Sequence, residues 1–449
     1  MIRLLIAAPN SGSGKTVLTC ALLAALKRRG RTPCAFKCGP DYIDPMFHRA
    51  VLGVESHNLD LFLSSETALR NLFSRCIAGH GAAVCEGAMG FYDGVRGTTA
   101  QASAWHVADT LGLPALLAVR PKGASLTLAA QIRGLQAFRS NNHIAAILLT
   151  DTSPALCKSL APMLETETGL PVAGCLPHLP EACLESRHLG LRTAGEIENL
   201  PARMERLADA LEANADLDRL FSLCTFDPPA AYQGTSRRRI TKIAVARDAA
   251  FCFAYAETLE ALEAAGAELL FFSPLTGGGL PDGTCGLYLP GGYPELYAEE
   301  LSKNDAMRQA IRSAVENGLP TVAECGGFLY LGQTLEDPSG VSWAMAGVLP
   351  GAGVKTERLV RFGYHHLTAQ RDGLLLRAGE TVPVHEFHYW DSSANGDAFT
   401  SEKGALRWSC GYSGPGLHAA FPHLYFAGRP ELAERFTAKA AAYGKEHGR

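Results

Sequence analysis

The sequence predicts an α/β protein of two domains, and three observations carry that expectation. A glycine- and serine-rich loop ending in Lys-Thr directly follows an apolar first strand. Short apolar runs alternate with helical runs through both halves of the chain. A segment rich in proline and arginine, CTFDPPAAYQGTSRRR, interrupts that alternation between the halves.

Length and composition agree. A chain of 449 residues is too long for one ordinary core. With 47% hydrophobic and 19% charged residues it reads as a well-packed soluble protein. Its net charge of −4 lacks the basic excess of a nucleic-acid binder, and no apolar stretch reaches the roughly 20 residues of a membrane helix. The start, MIRLLIAAPNSGSGKT, has the apolar run of a short signal sequence but reads better as a buried strand leading into a loop. The 13 cysteines are irregularly spaced with no CxxC pair, and Cys34 and Cys38 have no second pair in zinc-like register. Most are therefore small buried hydrophobes of a reducing, cytoplasmic protein.

In the first half, Arg3–Ala8, Ala82–Glu86, Pro114–Val119 and Ile144–Thr150 read as buried strands, with helices over Val17–Arg28 and Leu126–Phe138. That rhythm predicts a mostly parallel sheet covered on both faces. The expected divisions are a first domain over 1–222, a linker over 223–239 and a second domain over 240–449. The second restarts with a strand at Ile240–Ala246, a helix at Ala254–Ala265 and a strand at Glu268–Phe272, followed by apolar runs at Leu287–Leu289 and Thr321–Ala323. The run Arg237–Arg239 reads as solvated linker charge.

The loop Pro9–Thr16 is the first candidate site. Residues Ser11, Gly12, Ser13 and Gly14 let backbone amides surround phosphate oxygens at a helix N-terminus. Lys15 reaches the terminal phosphates and Thr16 offers a hydroxyl to Mg²⁺. The first glycine of the usual phosphate-loop pattern is replaced by Pro9. Lys37 is a candidate anion clamp, and Glu86, at a strand's C-terminal end, is a candidate ligand for a hard cation; Asp41 and Asp44 belong to the same acidic neighbourhood. Each carboxylate also has a bland role available as a helix cap or turn former.

The second site centres on Cys325. In TVAECGGFLYL this cysteine lies between an apolar strand and a helix, a sharp turn that exposes a nucleophile. A helix N-terminus is expected to lower its pKa. Gly326, together with Gly291 and Gly292 of LYLPGGYPE, supplies oxyanion-hole amides. The base must be a histidine, and His385, His388, His418 and His423 are available; His423 is preferred, although spacing alone does not separate it from His418. His385 and His388 read as substrate-facing or structural groups more readily than as metal ligands.

The motifs SGSGKT, FKCGPDYIDPMFH, NLD, EGAMGFYDG, RHLGL, LYLPGGYPELYAEEL, AECGGFLYL and HEFHYWD together resemble those of the cobyrinic acid a,c-diamide synthase family, which includes hydrogenobyrinic acid and nickel-sirohydrochlorin relatives. They span nearly the whole chain. The resemblance implies an N-terminal domain similar to dethiobiotin synthetase and a C-terminal class I glutamine amidotransferase domain. It implies Cys325 as nucleophile with His423 in support, and Mg²⁺ and ATP at Ser11–Thr16 with carboxylates Asp41, Asp44 and Glu86. The expected substrates are cobyrinic or hydrogenobyrinic acid, L-glutamine and ATP, with the corrinoid lying between the domains; a homodimer is compatible with it. The chain departs from the family pattern in reading AAFPHLYF where ASYLHLHF is usual, which puts Tyr425 in place of a second histidine. It also has Thr150 where an adenine-reading Asn is common, and an unusual Arg120–Lys122 run. Two rival readings are another corrinoid amidotransferase, such as cobyric acid synthase, and a partition-type ATPase with a degenerate tail. The EGAMGFYDG and HEFHYW segments weigh against the first, and the intact Cys325 against the second.

Overall fold

The computed structural model describes residues 1–180, 186–187, 190–191, 199–227 and 239–448. The chain divides into two compact units, Met1–Gln233 and Gly234–Arg449. The expected linker opens at residue 223, but the chain just beyond it stays with the first unit. The Arg3 amide donates to the Cys224 carbonyl at 2.8 Å and the Phe226 amide to the Met1 carbonyl at 2.8 Å. The Pro-Pro pair comes only after these bonds, and residues 228–238, with Arg237 and Arg238, lie outside the described residues.

The first unit is built on strands β1 (Ile2–Ala7), β2 (Pro33–Cys38), β3 (Ser56–Leu59), β4 (Ala82–Glu86), β5 (Ala115–Val119), β6 (Ile144–Thr150) and β7 (Val172–Leu176). They form one sheet in the order β3-β2-β4-β1-β5-β6-β7, parallel throughout. Strands β2, β4 and β5 are buried along their whole length, as both faces of a helix-covered sheet require. Helix Lys15–Arg28 packs on helix Leu200–Asn214 within one apolar cluster. The strand order reverses beside β1, so the crevice at its C-terminal end is where such sheets bind ligands. A short antiparallel pair follows, β8 (Ser186–Arg187) and β9 (Gly190–Leu191); the rest of the RHLGL segment lies outside the described residues.

The second unit has its own core. Its central sheet uses β10 (Thr241–Ala246), β11 (Ala267–Phe272), β12 (Gly286–Leu289) and β13 (Thr321–Glu324). Eight strands then form two four-stranded sheets that the sequence reading did not anticipate. They are β14 (Thr334–Glu336), β15 (Ser342–Ala344), β16 (Ala352–Lys355), β17 (Phe362–Ala369), β18 (Thr381–Phe387), β19 (Trp390–Ser392), β20 (Phe399–Lys403) and β21 (Leu406–Cys410), in the orders β15-β14-β16-β19 and β18-β17-β20-β21. The chain returns through β22 (Tyr412–Gly414) and β23 (Leu417–Ala420) to complete a six-stranded sheet ordered β11-β10-β12-β13-β23-β22. Strand β13 therefore runs between β12 and β23, parallel to both. Among the described residues no helix is long and apolar enough to cross a membrane.

Candidate functional site

The first unit gathers its polar residues at the C-terminal ends of β1, β2 and β4. The loop after β1 turns into helix Lys15–Arg28 through Gly14, whose φ of +81° is left-handed and suits glycine. Ser13 Oγ donates to Asn10 Oδ1 at 2.6 Å, bracing the loop internally. Thr150, at the end of β6, donates its hydroxyl to the Ser13 carbonyl at 2.7 Å. That residue thus supports the loop from below. Beyond it, Arg120 and His178 both pair with Asp151, the His178 Nδ1 contact being 2.6 Å, at the ends of β5, β7 and β6 respectively.

Lys15 Nζ donates to the Met89 carbonyl at 2.5 Å and the Asn10 carbonyl at 3.3 Å. Burial, and then the nearby Lys37 charge, lower its pKa to about 8. Thr16 Oγ1 donates to Glu86 Oε1 at 2.6 Å, and Lys37 Nζ donates to the same oxygen at 2.7 Å. Lys37 also lies 2.5 Å from Asp44 Oδ2. Burial alone would discharge this lysine, but Asp44 and Glu86 hold it charged. Asp41 is used differently: its Oδ1 accepts from the Ile43 and Asp44 amides at 2.8 and 3.1 Å, capping the turn into helix Ile43–Leu52. Burial, followed by repulsion from Asp44, raises its pKa to about 6.

The residues fit a hard cation. Glu86 is fully buried, and its second oxygen, Oε2, has no hydrogen-bond partner. An orphaned carboxylate oxygen beside a Thr hydroxyl, at the mouth of a phosphate loop, is a donor set for Mg²⁺ completed by phosphate oxygens.

In the second unit three adjacent strands end in the three expected parts. Gly291 and Gly292 follow β12, Cys325 follows β13 and His423 follows β23. Cys325 has φ +47° and ψ −104°, a strained conformation held by the strand before it and the short helix Gly326–Leu331 after it. Gly291 is the point of convergence. A Cβ there would lie 2.6 Å from His423 Cε1, 3.4 Å from His423 Nε2 and 3.4 Å from Cys325 Cβ. Its lack of a side chain leaves the room into which the imidazole and the Cys325 side chain both turn. A Cβ on Gly326 would sit 3.1 Å from the Gly292 nitrogen, so those two backbone segments also meet.

The Cys325 pKa is pushed up, contrary to the expectation from the helix N-terminus. Burial is the main cause, and the Glu295, Glu386 and Glu324 carboxylates add to it. The Gly326 amide pulls the other way but is outweighed, because one short helix offers few free amides. Glu295 is itself raised to about 7 by burial.

The other histidines are separated by their surroundings. His418 lies within β23, fully buried against the Phe399 ring at 5.0 Å, and burial lowers its pKa to about 4. His385, in β18, exchanges backbone hydrogen bonds with His423; the His423 amide donates to its carbonyl at 2.8 Å. His388 is tied to Glu386 Oε1 at 2.7 Å and to the Trp390 carbonyl at 2.5 Å, and stacks on Phe421 at 3.9 Å. The HEFHYWD segment thus fixes the stretch after β23 that carries His423.

Both halves match described families. Residues 4–189 match the CobQ/CobB/MinD/ParA nucleotide binding domain, and residues 242–427 match the CobB/CobQ-like glutamine amidotransferase domain. A protein of Caldanaerobacter subterraneus named cobyrinate a,c-diamide synthase is 36% identical, the match covering 98% of this chain and 99% of that one. The chain belongs to the cobyrinate a,c-diamide synthase family. A Synechococcus relative of the same name is 39% identical over 96% of this chain and 97% of its own. A Thermobifida fusca relative, named hydrogenobyrinate a,c-diamide synthase, is 37% identical over 97% of this chain and 96% of its own. The family thus includes relatives named for either ring.

Several residues at these two sites were not singled out by sequence reasoning. Met89, with φ +50°, presents its carbonyl to Lys15. Glu324 and Glu295 are buried carboxylates beside the thiol. Arg361 donates from Nε to Glu386 at 2.8 Å, and its other arm pairs with Asp391. The one available signal was for Glu324, an acid closing a fully buried strand, TVAE.

Proposed function

We propose that this chain amidates the a and c acetate carboxylates of cobyrinic or hydrogenobyrinic acid, using ATP and glutamine. The convergence of His423 and Cys325 across Gly291, in one chain with a phosphate loop over Glu86, supports this reading best.

In the second unit, His423 takes the Cys325 proton as the sulfur attacks the glutamine carboxamide. The Gly292 and Gly326 amides hold the developing oxyanion. Ammonia leaves with a proton returned by His423, and water releases glutamate from the thioester. In the first unit, the loop amides of Ser11–Thr16 cradle the ATP phosphates and Lys15 neutralises charge at the transferring group. A substrate carboxylate attacks the γ-phosphate in line, and ammonia displaces phosphate from the acyl phosphate. Thr16, Glu86 and Asp44 would hold Mg²⁺, which when bound supplies charge neutralisation between the phosphates. Lys37 fixes the orientation of Glu86 and Asp44, and Asp41 shapes the turn that carries Asp44.

The test is glutamine-dependent ADP release with each ring in turn. Cys325→Ala is expected to abolish turnover with glutamine and to keep it with free ammonia. Absence of turnover with either corrinoid, or full glutamine-dependent activity in that variant, would sink the reading. Comparing cobyrinic with metal-free hydrogenobyrinic acid identifies the preferred ring.

A further inference from the structure

The acid that orients a catalytic histidine has to face its second nitrogen. Two residues beyond His423 the chain has Tyr425, a buried phenol packed edge-on against Tyr255 at 5.2 Å, which supplies no carboxylate. A carboxylate reaches the ring from elsewhere. Glu324 is 1% exposed, and its Oε2 lies 3.5 Å from His423 Nδ1. Two further groups fix this carboxylate. The Tyr288 hydroxyl on β12 donates to Oε2 at 3.0 Å, and the Leu424 amide, next to His423, donates to Oε1 at 3.1 Å. Tyr288, Glu324 and the His423 loop thus link the ends of β12, β13 and β23.

We propose that Glu324, the residue immediately before the nucleophile, is the positioning residue of His423. It holds the imidazole with Nδ1 turned away from the thiol and Nε2 toward it, and its charge stabilises the imidazolium formed once the Cys325 proton is taken. One dipeptide, Glu324–Cys325, thereby contributes two of the three members of the relay. The inference rests on the glutaminase reading above. The other titratable groups around the pair are His385 on β18, His418 on β23, which feels the Glu324 charge, and, beside Cys325, Glu295 and Glu386, all left intact in the test.

The decisive variant is Glu324→Gln, which removes the charge while its oxygen can still accept from the Leu424 amide and its NH2 can donate to the Tyr288 oxygen. Its glutaminase kcat is expected to fall about 10²- to 10⁴-fold with the glutamine KM within about threefold. Ammonia-supported amidation should be unchanged. Glu324→Asp, which restores the charge, should recover part of the loss, and the acid limb of its kcat/KM profile should move to lower pH. A Glu324→Gln kcat within about threefold of the parent would overturn the proposal, as would an Asp variant no better than the Gln variant. If the Gln variant does not fold, an unmoved acid limb in the Asp variant overturns it. Cys325→Ala separates the two levels: glutamine hydrolysis surviving in that variant defeats the site reading itself, whereas its loss beside an active Glu324→Gln defeats only this inference.

Discussion

Lys15 sits between opposing demands. It must carry charge to meet phosphate, yet burial and the Lys37 cation bring its pKa to about 8. Nucleotide binding favours the protonated amine, so affinity should be level below pH 8 and fall by up to about tenfold per pH unit above it. Titrating a fluorescent ATP analogue between pH 7 and 10 checks this, and Lys15→Arg, which stays charged, should flatten the decline. At the second site the corresponding constraint is steric. Gly291→Ala would place a methyl 2.6 Å from the His423 ring, inside van der Waals contact. The ring must move, and glutaminase activity should drop at least about 100-fold while ammonia-supported turnover continues. Steady-state assays with the two nitrogen sources distinguish this from general misfolding.

At the level of elements, strand ends do the positioning. The C-terminal end of β6 holds the phosphate loop through one buried hydroxyl, that of Thr150. Thr150→Val keeps the shape but leaves the Ser13 carbonyl without its donor, a change of about 1–3 kcal/mol. Isothermal titration should show nucleotide binding weakened roughly tenfold, and Thr150→Ser should bind as the parent does. The central parallel strands were legible because both faces are buried: β4 and β6 run over the residues that their apolar composition indicates, whereas β3, SHNL, and the short β7 were not marked. The two antiparallel sheets were not. Strands such as β17, FGYHHLTA, mix exposed, half-buried and buried positions and carry two histidines and a glycine, so neither a continuous apolar run nor a clean alternation marks them. At the sites, Cys325 and the phosphate loop were legible because each lies in a local strand–turn–helix pattern. Glu324 acts through a histidine 99 residues away in sequence, and the pairing of β13 with β23 brings them together. No local pattern encodes that.

For the whole molecule, two separate cores carry different titration burdens. In the second unit His385 and His418 are buried and held near pKa 3 and 4, well below the unfolded value. A depressed histidine gives stability that is complete above about pH 6.5 and is lost as pH falls toward the folded pKa. Glu295, raised to about 7, runs the other way: the folded state binds its proton more tightly, which adds stability as pH falls from 7 toward 4.5. Burial lowers His365 in the same unit too, so three depressed histidines outweigh the one raised glutamate and stability should decline as pH falls from about 6 to about 4.5. Trp343, Trp390 and Trp408 lie in this unit and only Trp105 in the other, so urea midpoints followed by tryptophan fluorescence in a Trp105→Phe background report on it directly.

The Cys325 thiol, buried and ringed by three carboxylates, also determines how the protein fares in air. Peroxide and alkylating reagents react with thiolate, and a sulfur that keeps its proton until glutamine and His423 act on it gives them little to attack. At Cys325, then, the same burial that makes the sulfur dependent on a base also shields it at rest, and oxidant sensitivity at this residue should be greatest during turnover.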